Sequence, residues 1–331
     1  MGTVNVDTES MAQQALEAWG LQSARHELFS VSENIVFRVD NGGGKELRLC
    51  LHRSWYHNLQ ELISERVWTR ALRDYGVSTP VPVPALDGSD YVLVGGTMSG
   101  GTRYAGMDEW VDGETMHDVI MRNENFTDYF KRLGKMAAQI HNQASRWEPP
   151  AGFRRHSLDA DGLMGLSPWW GPFWKAPHLT PNERVRFEHL RETIHDGLSR
   201  LGKGPDSYSM IHADLAPGNL IVNGEHLHII DFDDAGFGWH MYELATGLYP
   251  YQDNPRFPEM VNAVFQGYRE DRRLDSESAA LLKLFLLVRA LAIVGWRAAR
   301  PELEEMKIPE WSRGSKWTIN KALSLSAELG L

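Results

Sequence analysis

The chain has 331 residues, 42% of them hydrophobic, one cysteine and a net charge of -10. That length suits two domains or one two-lobed domain at roughly 150 residues per domain, and the lone Cys50 excludes an internal disulfide framework. The acidic balance argues against nucleic acid or an anionic membrane as partner and is compatible with a cationic small substrate. The polar, acidic N-terminus lacks the regions of a signal peptide, and the longest apolar run, Leu281 to Val294, is interrupted by Lys283 and Arg289. No membrane partner and a reducing, cytoplasmic setting are therefore expected.

In chain order, residues 9–19 read as a short amphipathic helix stopped by Gly20. Two alternating runs follow, Glu27 to Val39 and Glu46 to Arg53, separated by the turn signal Asn41-Gly42-Gly43-Gly44. Residues 58–75 carry apolar positions at helical spacing (Leu62, Val67, Ala71, Leu72), and Gly76 stops them. Tyr91 to Val94 and Tyr104 to Val111 read as strands around a glycine-rich turn from Gly95 to Gly101. The texture then changes. Helical patterns cover 125–146, 182–201, 257–270 and 277–299, a Pro-, Gly- and Trp-rich stretch fills 149–181, and short strands occupy 209–230. The reading is α+β: a small antiparallel-sheet lobe over 1–111 and a larger, mainly helical lobe over 112–331.

The densest chemical signal is His212-Ala213-Asp214-Leu215-Ala216-Pro217-Gly218-Asn219, which follows an apolar strand end. A hairpin with its turn at Asn223-Gly224 leads to Ile229-Ile230-Asp231-Phe232-Asp233-Asp234. Phosphoryl transfer needs such a set. Mg²⁺ takes oxygen ligands and keeps phosphates and water as the remainder, and Asn219 and Asp231 offer an amide oxygen and a carboxylate. Asp214 can orient an attacking hydroxyl and accept its proton. The transition state is loose, so positioning and charge neutralisation carry most of the catalysis. His212 reads as a structural hydrogen-bonder. Asp233 and Asp234 leave two readings open, a second ion site or caps of the following segment.

His-Ala-Asp-Leu-x-x-Gly-Asn followed by Ile-Asp-Phe-Asp-Asp resembles the aminoglycoside phosphotransferase family, which includes choline kinases and a bacterial stress-response protein kinase. The resemblance implies a two-lobed, protein-kinase-like fold and the use of ATP or GTP with Mg²⁺. It extends to Ser32-Glu33-Asn34-Ile35-Val36-Phe37, where the family's first hairpin covers the phosphates, and implicates Ser32 and Asn34. It places Glu65 as the helix glutamate that pairs the phosphate-binding cation. It makes Met107 to Gly113 the adenine hinge, with Glu109 and Val111 as contacts. The segments Leu133-Gly134 to His141 and Phe237-Gly238-Trp239 to Ala245 match as well.

One departure stands out. Counting along the hairpin puts the family's third-strand Lys or Arg at Cys50, which cannot supply a positive charge. Arg48, two residues earlier, shares its face of the strand. Three readings remain open: Arg48 replaces the lysine, another cation such as His52 does, or nucleotide binding is weak and the chain is a regulatory module.

The acceptor implied is the hydroxyl of an amino sugar, amino alcohol or hydroxy amino acid, with a Ser/Thr protein kinase of the stress-response type as the alternative. The aromatic stretch Ser167 to Trp174 is placed to wall an acceptor site, and Asp159, Asp161, Glu243, Asp253 and Glu270 are carboxylates available to an amine. Oligomeric state is not legible.

Overall fold

The computed structural model describes residues 6–95, 101–122, 125–301 and 314–331. The turn expected between Gly95 and Gly101 falls, over 96–100, outside the described residues. The chain divides into two compact units. One comprises Met1–Gly113 with Pro149–Arg154 and His228–Ile230; the other comprises Glu114–Glu148, Arg155–Leu227 and Asp231–Leu331.

The first unit is a five-stranded antiparallel sheet with two helices. Helix α1 spans Val6–Ala18, and strands β1 (Arg25–Val31), β2 (Ile35–Asp40) and β3 (Glu46–Leu51) follow. Then come α2 (Leu59–Asp74), β4 (Tyr91–Gly95) and β5 (Thr102–Glu109). The sheet order is β1-β2-β3-β5-β4. The expected run from Glu27 to Val39 is thus two strands, with a reversal at Ser32–Asn34 that carries no Gly or Pro. The Ser32 N–H donates to the Asn34 carbonyl, and the buried Asn34 side chain accepts from the Arg53 N–H at 3.0 Å, which closes the turn without them.

Alternation decides the faces. Phe37, Val39, Leu47, Leu49 and Met107 pack with Met11, Ala15 and Leu16 of α1 in one buried cluster. Arg48 and Cys50 lie on the opposite face, opposite Asp108 and Gly106 of β5. There Tyr91 crosses so close to β5 that a Cβ on Gly106 would sit 2.8 Å from its ring. Helix α2 starts on a capping box, Asn58 with Glu61, which satisfies two otherwise orphaned N–H groups.

The second unit is mainly helical. It contains β6 (Glu114–Thr115), α3 (Met116–Arg122), α4 (Thr127–Ala144), β7 (Ser157–Leu158), α5 (Ala160–Met164), α6 (Pro181–Arg200), β8 (Tyr208–Ile211) and β9 (Leu220–Asn223). The turn at Asn223-Gly224 leads to β10 (His226–Ile229), whose last two residues belong to the first unit, followed by β11 (Gly236–Trp239), α7 (His240–Leu248), α8 (Phe257–Asp271), α9 (Ser276–Ala280), α10 (Leu282–Ala298) and α11 (Ser315–Glu328). The helical pattern over 277–299 is split at Leu281, where α9 ends and α10 begins.

Helices α4 and α8 touch backbone to backbone, because a Cβ on Gly267 would fall 1.8 Å from the Lys131 carbonyl oxygen. Strand β11 pairs antiparallel with β8 and parallel with β7. It approaches β8 so tightly that a Cβ on Gly238 would meet the Ile211 side chain at 2.5 Å. That contact seats the end of β8, from which the His212 to Asn219 segment leaves. Among the described residues no helix is long and apolar enough to cross a membrane.

Candidate active site

Strand β8 ends at Ile211, and the chain turns sharply at Ala213, whose φ is 64. Left-handed backbone costs a non-glycine residue roughly 1–2 kcal/mol, so something must hold it. The buried Glu243 of α7 does: its two carboxyl oxygens accept the His212 N–H at 2.7 Å and the Ala213 N–H at 2.8 Å. Burial pushes the Glu243 pKa up to about 8, with the two N–H groups and Arg289 pulling the other way and Asp214 reinforcing it. His212 is fully buried; its Nδ1 accepts the Asp214 N–H at 3.2 Å and its ring packs on Phe232. It is a structural hydrogen-bonder, as its place in the motif suggested.

Asp214 and Asn219 meet directly. Asn219 Nδ2 donates to the Asp214 carbonyl at 2.9 Å and to Asp214 Oδ2 at 2.7 Å. With its amide nitrogen so used, Asn219 has its amide oxygen left for a ligand, the orientation a metal site needs. Asp231 is exposed and also takes a left-handed backbone, φ 63, a conformation Asp tolerates better than most residues. The packing of Phe232 on His212 ties its segment to the loop that carries Asp214. One amide oxygen and one carboxylate make a sparse oxygen set that suits a cation retaining phosphate and water ligands. Among the described residues no cluster of three or more His, Cys, Asp or Glu side chains forms a full cage.

One partner of Asp214 was not foreseen. Arg289 of α10 donates from Nη2 to Asp214 Oδ1, and from Nη1 to the Ala213 carbonyl at 3.4 Å and the Tyr242 hydroxyl at 3.3 Å. Burial by itself would lower the Arg289 pKa, but Tyr242 and Asp214 beside it outweigh that and raise it. The guanidinium lies over the Trp170 ring at 5.8 Å. Trp170 in turn stacks on Tyr242 and donates its indole N–H to Asp234 Oδ1 at 3.1 Å. Trp170, from the aromatic stretch, therefore lies beside Arg289, and Asp234 is tied to it. The signal in the sequence was one of the two cations, Lys283 and Arg289, that interrupt an apolar helical run.

Asp159, Asp161, Asp253 and Glu270 are spoken for. Asp159 caps α5 and pairs with Lys203, and Asp161 pairs with His195. Asp253 pairs with Lys321, and Glu270 with Lys131 and Lys135. Of the five carboxylates named from the sequence, only Glu243 touches the loop, and it binds backbone there.

In the first unit, Arg48 pairs with the buried Asp108 at 3.1 Å, and Arg66 of α2 pairs with the other Asp108 oxygen. Burial alone would raise the Asp108 pKa; Arg66 and Arg48 outweigh it and lower it. Glu65 is buried on α2, next to Arg66. Cys50 is fully buried. At the end of β5 the Glu109 N–H donates to the Val81 carbonyl and the Trp110 N–H to the Glu46 carbonyl, while Lys45 pairs with the Glu109 side chain; Val111 is partly buried.

Comparison with known proteins places this arrangement. The model of the phosphotransferase enzyme family matches residues 27–279. Amicoumacin kinase of Bacillus subtilis (strain 168) is 24% identical over 298 residues, covering 87% of this chain and 84% of that one. The structure of a microcompartment-associated aminopropanol kinase is 30% identical, covers 97% of this chain and 98% of that one, and superposes with a TM-score of 0.83. The amicoumacin kinase hAmiN, in complex with AMP-PNP, Ca²⁺ and Ami, is 19% identical with a TM-score of 0.78, covering 96% and 94%. The α+β fold is thus protein-kinase-like, as the motifs implied. The chain belongs to the phosphotransferase enzyme family and is a small-molecule kinase.

Proposed function

We propose that this kinase transfers the γ-phosphoryl group of ATP to the hydroxyl of a small amino alcohol, with Asp214 as catalytic base. The observation that carries the reading is the pairing of Asp214 with Asn219 on a loop whose backbone Glu243 holds. The acceptor oxygen attacks the γ-phosphorus, the bond to the bridging oxygen of the leaving ADP breaks, and the hydroxyl proton passes to Asp214. Asn219 and Asp231 would hold Mg²⁺, which when bound would neutralise the phosphate charge. Arg48 is assigned to the phosphates, with Glu65 behind it and the Ser32–Asn34 turn over them. The chain around Glu109 and Val111 is assigned to the adenine.

The amino-alcohol assignment draws on the 30% identity to an aminopropanol kinase over nearly the full chain. The likeness to amicoumacin kinase, at 24%, favours an antibiotic hydroxyl as the second reading. A coupled assay of ADP release with MgATP separates them, run over 1-amino-2-propanol, ethanolamine, choline, homoserine, kanamycin, amicoumacin A and casein. Saturable turnover with 1-amino-2-propanol or ethanolamine, ahead of the others, is expected. Preference for amicoumacin A moves the assignment to the antibiotic, preference for casein moves it to a protein kinase, and silence throughout removes the amino-alcohol assignment.

A further inference from the structure

The His212 to Asn219 segment is gripped from two sides. Glu243 takes the N–H groups of His212 and Ala213, and Arg289 gives one N–H to the Ala213 carbonyl. The second arm of the Arg289 guanidinium reaches the reactive group itself, Asp214 Oδ1, across 75 residues of chain. Asn219 Nδ2 holds the other oxygen, Oδ2. Each carboxylate oxygen of Asp214 therefore has one fixed donor, which sets the rotation of the group. Lone pairs remain for an incoming hydroxyl.

The guanidinium is itself immobilised. Its side chain is 13% exposed, its Nη1 is spent on Ala213 and Tyr242, and its face rests on Trp170. A planar fork held on three sides is a better ruler than a flexible ammonium. A charge embedded in the apolar α10 also has a cost, because a buried charge must be paired to be tolerated. An apolar residue there would spare that cost, so a role beyond packing is indicated.

We propose that Arg289 is a positioning residue for phosphoryl transfer, fixing the Asp214 carboxylate in the orientation that receives the acceptor proton. The inference rests on Asp214 being the base. During transfer the acceptor oxygen bonds to phosphorus, the bond to ADP breaks, and the proton goes to Asp214; Arg289 keeps all its protons and changes no bonds. Because the transition state is loose, the reaction is sensitive to where the base points.

The test uses slow hydrolysis of MgATP, water replacing the acceptor, so no acceptor need be known. Variants Arg289→Met, Arg289→Lys, Arg289→Ala and Asp214→Asn are compared with wild type after thermal melting confirms that each is folded. Arg289→Met should lose about a hundredfold in kcat, the order of effect of a misplaced group, with KM for ATP unchanged. Arg289→Lys should fall between it and wild type, and guanidinium chloride at millimolar concentration should restore part of the Arg289→Ala rate. Arg289→Met turning over like wild type while Asp214→Asn is dead would overturn this inference and leave the base in place. Asp214→Asn turning over like wild type would instead remove the base reading, and this inference with it. A second measurement does not depend on turnover. Guanidinium should give a saturable thermal shift with Arg289→Ala and none with the Arg289→Ala/Asp214→Asn double variant. Absence of saturable binding to Arg289→Ala counts against the proposal.

Discussion

Each unit of the molecule holds an aspartate against arginine, and the two are built differently. Asp108 is 2% exposed and has two arginines, Arg48 and Arg66, one on each oxygen. Asp214 is 28% exposed and has one arginine and one amide. The first is a closed pair of ion pairs that cross-links β3, α2 and β5. The second is left half-open to solvent with acceptor capacity to spare. Residue type is the same; exposure and the number of cations separate the two carboxylates.

That contrast is broken most sharply by exchanging the same atoms at both places. Asp214→Asn should lower turnover by on the order of a thousandfold, the range for losing a general base, while the melting temperature and ATP binding stay near wild type. Asp108→Asn should do the reverse. It leaves the buried Arg66 and the partly exposed Arg48 short of charge, a loss on the order of 3–5 kcal/mol, read as an earlier urea midpoint with kcat largely kept in the folded fraction. Equal effects of both variants on turnover would mean that Asp108 is not merely structural.

A smaller effect concerns Arg48. Its partner Asp108 competes with phosphate for its charge, and it remains 27% exposed. Arg48→Ala is expected to weaken ATP binding by about tenfold, the loss of one charge-assisted contact, and Cys50→Lys to weaken it less. Unchanged affinity in Arg48→Ala, measured by calorimetry, would leave the phosphate cation to His52 or elsewhere.

The same contrast explains what the sequence disclosed. Asp214 and Asn219 stand five residues apart in one loop, so their meeting was written in local spacing. The faces of β3 followed from alternation, and Arg48 and Cys50 do share one. Arg289 meets Asp214 only through tertiary packing, and no local pattern encodes that; what showed was a cation, like Lys283, interrupting an apolar helical run. Glu243 was visible as a carboxylate, but its partners are backbone N–H groups, which have no signature in side-chain chemistry. The reversal at Ser32–Asn34 was hidden from the alternation pattern, since it is closed without glycine or proline, and showed only through the resemblance to the family's first hairpin.

The gentlest probe is pH, and its sign can be worked out. Glu243 has a folded pKa of about 8 against an ordinary 4.5. Between these values the folded state holds a proton that the unfolded state has lost, so this group's stabilisation is full below 4.5 and declines up to about pH 8. The slope is about 1.4 kcal/mol per pH unit. His141 and His240 act oppositely. They stack at 4.0 Å in the core of the second unit. Burial lowers both, His240 to about 3 and His141 well below 6.5. Below pH 6.5 the unfolded chain protonates them and the folded one resists, so stability falls as pH drops. Two histidines outweigh one glutamate there, and above 6.5 only the glutamate remains. Stability from these groups should therefore peak near pH 6.5 and decline toward pH 8, measured by urea melts across that range. Glu243→Gln should be less stable overall, because an amide offers one acceptor oxygen to two backbone donors, yet it should lose the decline above pH 6.5. A wild-type stability that keeps rising from pH 6.5 to 8 would mean that Glu243 is ionised at neutrality, and that the loop beside Asp214 is held by a carboxylate and not by a neutral acid.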